Sequence, residues 1–177
     1  MIVYLWEYTA KKKGSVRMFF NKPKQEALTV TSDAFTEGGK IPLKYTGRAE
    51  DISPGLKLSA VSEKAKSIAV VLDDLDVPGM GILTHWVIWN LPVQNIIPEN
   101  IPHGESVPSL GDAMQGIGYG RHRYRGPNPP RGSHRYRFNV YVLDKRLGIA
   151  GDSGKNELMK AMEGHILQSG TITGQFE

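Results

Sequence analysis

Residues 134–142 alternate without a break: His134, Tyr136, Phe138, Val140 and Val142 occupy one parity, with Arg135, Arg137 and Asn139 between them. Successive side chains of a strand point to opposite faces, so this run commits the chain to a sheet with one buried face. His134 begins the buried row and is expected at its rim. The run 85–90 is different. His85, Val87 and Trp89 share one parity and Trp86, Ile88 and Asn90 the other, so both faces are largely apolar. Such a strand lies inside its sheet, with His85 at its start.

Further strand-like segments fall at 28–31, 56–60, 67–72, 84–91 and 135–143, separated by glycine and proline. Residues 50–55 and 104–132 read as loops. One helix is expected near the carboxy end: Asp152 or Ser153 can cap it, and Leu158, Met162 and Ile166 recur at spacing four, with Met159 nearby. The strands are too irregularly spaced and the helices too few for a doubly wound parallel sheet. The expectation is one mainly β domain over 28–177, with 177 residues and 40% hydrophobic content sufficient for a core.

Residues 1–27 form an arm carrying Ile2, Val3, Leu5, Trp6, Phe19 and Phe20. Exposure of such a set would be an association liability, so the arm is expected to pack on the domain or at a dimer interface. Its positive charges follow the apolar start, the reverse of a secretory signal. No run approaches the 18 apolar residues of a membrane span, and a cytoplasmic location is the expectation. The chain has no cysteine, which excludes disulfides, thiolate metal sites and a cysteine nucleophile.

The candidate chemistry is sparse. Asp73, Asp74 and Asp76 follow an apolar run, and in a continuing strand Asp74 and Asp76 share a face that Asp73 does not. Their like charges require solvent, backbone donors or cations. His85 and His134 are the histidines at the starts of buried rows. No short-spaced histidine pair supports a metal, no nucleophile turn supports a serine hydrolase, and the glycines of 116–120 match no phosphate-binding fingerprint. Six of the nine arginines lie in 121–137, and residues 113–143 contain no carboxylate. Interleaved tyrosines give that stretch a faint nucleic-acid look, but a net charge of +4 is small. A small anion held by a subset of these groups is the more economical reading.

Taken together, residues 74–78 (Asp-Leu-Asp-Val-Pro), 85–90 (His-Trp-Val-Ile-Trp-Asn), 124–130 (Tyr-Arg-Gly-Pro-Asn-Pro-Pro) and 132–136 (Gly-Ser-His-Arg-Tyr) resemble the phosphatidylethanolamine-binding protein family. More narrowly they resemble its bacterial and archaeal Raf-kinase-inhibitor-like branch. Ser32-Asp-Ala-Phe35, Ile41-Pro-Leu-Lys-Tyr-Thr46 and Gly164-His-Ile-Leu167 support the match in the expected order. The resemblance implies a central antiparallel sheet packed on a second sheet, with short peripheral helices and a carboxy-terminal helix. It implies an anion pocket of Asp74, His85, His134 and Tyr136 walled by Gly126, Pro129 and Pro130, for phosphate or a phosphorylethanolamine-like headgroup. It further implies a non-enzymatic regulator without cofactor or metal, links to kinases and, in some branches, to serine proteases inhibited through a surface loop, and a homodimer. The alternative is a small-molecule hydrolase with His85 or His134 as general base. The sequence departs from the family at Leu75, where proline is common, in the loop before Tyr124, which lacks the usual Asn-Asp pair, and at Phe176, where tyrosine is commoner.

Overall fold

The structure, a computed structural model, describes residues 26–177. The apolar set of the arm, Ile2 to Phe20, lies outside the described residues. Ten strands and one α-helix follow in the order β1 (Glu26–Ala27), β2 (Thr29–Thr31), β3 (Leu56–Ser59), β4 (Ser67–Val77), β5 (Gly81–Leu91), β6 (Ile96–Ile97), β7 (Ser106–Val107), β8 (Ala113–Gln115), β9 (His134–Leu143), α1 (Lys155–Met162) and β10 (Ile166–Phe176). Leu43–Tyr45 and Pro108–Leu110 form single 3-10 turns.

The strands form a seven-stranded sheet in the order β1-β10-β9-β4-β5-β8-β7 and a three-stranded sheet in the order β2-β3-β6. All pairings are antiparallel except β1 with β10. Two cores follow from the alternation along β4, β5 and β9. Ile68, Val70, Leu72, Trp86, Phe138, Val140 and Val142 face the small sheet, packing with its Val30, Leu56, Leu58 and Ile97. Ala69, Val71, Val87 and Trp89 face the other way, under Leu158 and Met162 of α1. The molecule is thus three layers, with β4 buried on both faces along its first eight residues. No helix among the described residues is long and apolar enough to cross a membrane.

Three expectations change. Ile166 does not continue the helix: α1 ends at Met162, and Ile166 opens β10 after a turn at the left-handed Gly164. Gly154, rather than Asp152 or Ser153, is the cap residue, with its N–H donating to Glu157 Oε2. The long loop 104–132 also contains β7 and β8, and Gln115 anchors it by accepting from Trp86 Nε1 at 2.8 Å and donating to the carbonyls of Pro102 and Gly104.

Candidate functional site

β4 continues through its carboxylates rather than turning away at Leu72. Asp73 and Asp74 are both buried, on opposite faces of the sheet. On the α1 side, Asp73 accepts from Lys155 Nζ at 2.7 Å, Thr84 Oγ1 at 2.8 Å and Asn139 Nδ2 at 3.0 Å. On the small-sheet side, Asp74 accepts from His134 Nδ1 at 2.8 Å through one oxygen and from the Asp76 N–H at 2.9 Å through the other. Asp76 is gripped by Arg135, whose Nε, second guanidinium nitrogen and backbone N–H all donate to it at 2.7–2.9 Å. The repulsion expected of three neighbouring carboxylates is thereby removed, each having its own cations or donors.

His85 reaches the Asp74 side by a defect in the pairing. Leu72 opposes Trp86 and Asp73 opposes Thr84, which leaves His85 as an extra residue in β5. A bulge of this kind turns two consecutive side chains toward one face. Trp86 enters the small-sheet core, and His85 meets Tyr136 of the same core edge-on, ring centroids 5.4 Å apart. Strict alternation had grouped His85 with Val87 and Trp89, on the helix side. The bulge overturns that grouping.

Tyr136 is the centre of the cluster. Its ring lies 6.4 Å from that of His134, nearly parallel, as well as beside His85. Tyr136 is fully buried, and its hydroxyl, which stands beside the Asp74 carboxylate and the Asn128 backbone, meets neither at good hydrogen-bond geometry. Burial first, and then the neighbouring Asp74 carboxylate, hold its proton well above the ordinary tyrosine range. His85 Nδ1 donates to the Arg125 carbonyl at 2.9 Å. Burial pushes the His85 pKa below its usual value, against the pull of that carbonyl and of Asp74, so the ring is neutral near pH 7. Each imidazole therefore commits Nδ1 to the protein and keeps Nε2 for another partner.

The segment after Tyr124 closes one side. Tyr124 donates to the Tyr45 carbonyl at 2.8 Å, and the Gly126 N–H donates to Asp51 Oδ1 at 2.6 Å. Pro129 is buried and its carbonyl accepts from Arg48 at 2.8 Å, while Pro130 is exposed. Two clefts open nearby. One of about 180 Å³ is lined by Ser133, Phe176 and Glu177 among others, beside the pairing of His134 with Phe176. The other, of about 370 Å³, lies by Thr84 and Lys155 on the α1 side. Neither has Asp74, His85 or Tyr136 in its wall. Those side chains are covered, and of the groups touching His85 it is Tyr119 that is exposed, its ring 5.2 Å away. Among the described residues no three histidine or carboxylate side chains converge as a metal site.

The titrations imply a two-stage loss of stability in acid. As pH falls below about 6.5, the reference histidine value, the unfolded chain protonates at position 85 before the fold does, so stability drops. A second loss follows from Asp76, which the Arg135 side chain holds at about 2 against a usual 3.8: its contribution is complete above 3.8 and disappears as pH falls toward 2. Urea midpoints measured from pH 7 to pH 2 should show both stages in the wild type, and Asp76→Asn should shrink the lower one, to which Glu99, held low by Tyr45 and Lys44, also contributes.

A family model for phosphatidylethanolamine-binding proteins matches residues 31–177. A UPF0098 protein of Archaeoglobus fulgidus is 44% identical over 155 residues, covering 88% of this chain and 53% of that protein, so the chain spans about half of that relative's length. A UPF0098 protein of Pyrococcus abyssi is 43% identical over 155 residues, 86% of each chain. The crystal structure of a phosphatidylethanolamine-binding protein homolog from Chlamydia trachomatis superposes with a TM-score of 0.75 at 36% identity, covering 85% of this chain and 97% of that one. An Escherichia coli protein described as a member of the mammalian family gives 0.77 at 25% identity, covering 86% and 99%.

Proposed function

Since the chain belongs to the phosphatidylethanolamine-binding protein family, we propose that it is a non-enzymatic binding protein whose pocket takes a small anion, phosphate or a phosphorylated headgroup. The pocket comprises Asp74, His85, His134 and Tyr136, with Gly126, Pro129 and Pro130 as its wall. The observation that carries this reading is the fully buried Tyr136 hydroxyl, which makes no hydrogen bond of good geometry. It stands between two imidazoles whose Nδ1 atoms are already engaged. A buried polar group left unpaired costs about 1–3 kcal/mol, and a ligand oxygen would relieve it. The buried Asp74 and His134 are fixed by each other, a preorganised arrangement suited to holding rather than to turnover. Among the described residues no activated nucleophile accompanies them.

Within the family we place the chain in the bacterial and archaeal Raf-kinase-inhibitor-like branch, supported by archaeal and chlamydial relatives. The same proposal includes a cytoplasmic homodimer and inhibition of a serine protease by a surface loop. Two loops, 92–111 with its prolines and 109–132, are the stretches suited to that contact, and Val93 is exposed in the first.

His134→Ala removes the imidazole whose Nε2 faces the ligand and should cost about 1.5–3 kcal/mol of phosphate affinity, the range for a hydrogen bond to a charged group. Calorimetric titration with inorganic phosphate tests this, and equal affinities in wild type and variant would remove His134 from the site. A phosphatase and esterase screen covers the hydrolase alternative. Turnover lost in both His85→Ala and His134→Ala would replace the binding reading with an enzymatic one.

A further inference from the structure

We infer that Arg125 supplies the positive charge of this site: its guanidinium, seated on the ring of Tyr119, receives an oxyanion of the phosphate class on the His85 side. The inference rests on the anion-binding reading above and adds to it a residue and a charge.

Arg48, the cation already placed at the wall, spends its guanidinium on the carbonyls of Pro129 and Glu177 and on Asn128 Oδ1. Asp74 is a carboxylate, Tyr136 keeps its proton, His85 is neutral, and His134 is committed to Asp74. A phosphate near neutral pH carries more than one negative charge and would meet the Asp74 charge uncompensated. Of the arginines clustered in sequence, Arg135 is taken by Asp76 and Arg121 by Asp152.

Arg125 is held in place and left incomplete. Its carbonyl accepts from His85, so its backbone is fixed against that ring. Its guanidinium lies 5.1 Å above the Tyr119 ring, the same ring that packs on His85. Its Nε is buried with no hydrogen-bond partner, and the nearest carboxylate oxygen, Oδ2 of Asp51, is 3.9 Å away. The other oxygen of Asp51 is engaged by the Gly126 N–H. An unpaired buried donor on a charged group is among the costlier features a fold can carry. The side chain is nonetheless 31% exposed, so an anion can approach it from solvent. The planar fork matches two phosphate oxygens at once. The titratable and charged groups around it are Asp51, Tyr119 and His85, with Tyr136 and Asp74 beyond the His85 ring.

The test is calorimetric titration of full-length protein with inorganic phosphate. Arg125→Gln should weaken binding about tenfold or more, and Arg125→Lys, which keeps charge but loses the fork, should fall between it and the wild type. Wild-type affinity should persist at pH 8, because arginine does not titrate there, and should decline with added salt more steeply than that of Arg125→Gln. Independently of variant stability, the Arg125 Nε–H resonance of the wild type, assigned by its absence in Arg125→Lys, should move on addition of phosphate. An unmoved resonance, or equal affinities in wild type and Arg125→Gln, would overturn the role of Arg125. The anion site itself would then stand if His134→Ala still loses binding. A wild type that takes up no phosphate overturns both.

Discussion

Gly126→Ala is expected to lower stability by at least about 3 kcal/mol, a large share of what a domain of this size possesses. A Cβ at position 126 would stand 2.1 Å from the Tyr45 carbonyl oxygen and 3.0 Å from both Asp51 Oδ1 and the Thr46 Cα. The obstructing atom is backbone, and it cannot step aside freely: the Tyr45 carbonyl accepts from the buried Tyr124 hydroxyl, and the Thr46 side chain and N–H both bond to the Leu43 carbonyl. Relief must come from segment 124–130 moving outward, which pulls the Arg125 carbonyl from His85 and the Gly126 N–H from Asp51. Gly148 provides the control. It has nothing within 4 Å of a built Cβ, so Gly148→Ala should change stability by no more than about 0.5 kcal/mol. Urea denaturation of both variants checks the pair, and a Gly126→Ala protein as stable as the wild type would show the contact to be soft.

Asp73→Ala should cost about 3–5 kcal/mol, the range for removing one member of a buried ion pair. The side chain is 1% exposed and that of Lys155 30%, so the ammonium left behind is partly out of water. Asn139 and Thr84 lose an acceptor as well. The expected signature is rescue: adding Lys155→Met to Asp73→Ala should recover much of the loss, because the stranded charge is gone. Equilibrium unfolding of the two single variants and the double variant measures the coupling. Additive losses would mean that the pair contributes little beyond its separate packing.

What could be read from the sequence, and what could not, divides along physical lines. The face of β9 was legible because its period-two pattern is uninterrupted from His134 to Val142, and the structure puts Tyr136 through Val142 in one core. β10 was hidden. Its glycines look like turn punctuation, yet Gly170 and Gly174 are there for close approach: a Cβ would lie 2.0 Å from the Leu28 carbonyl oxygen and 2.5 Å from the Ile41 side chain. The stretch 73–76 was open to reading as a turn because aspartate is a poor strand former, and only Lys155, His134 and Arg135, each 58 or more residues away, reveal why it stays extended. The histidines and Tyr136 were named from their positions at row starts and from resemblance. Arg125 was not singled out, although the absence of any carboxylate from 113–143 already meant that arginines there would need distant partners or none.

The extra residue at position 85 also sets where this chain can change length. It acts as a phase slip: residues of β5 before it and after it keep opposite parity relative to β4. Loss of the slip would return position 85 to the face of Val87 and Trp89, away from Tyr136, and a deletion at 81–84 would shift the residues that precede it against Asp73 and Asp74. The hairpin tip at 78–80 is free of that constraint, since its Met80 is 71% exposed and Gly79 meets nothing within 4 Å. Length variation in this hairpin is therefore tolerated at the tip and excluded from the arm, and relatives that share the site should differ in reach there while keeping the same count from the slip to the core.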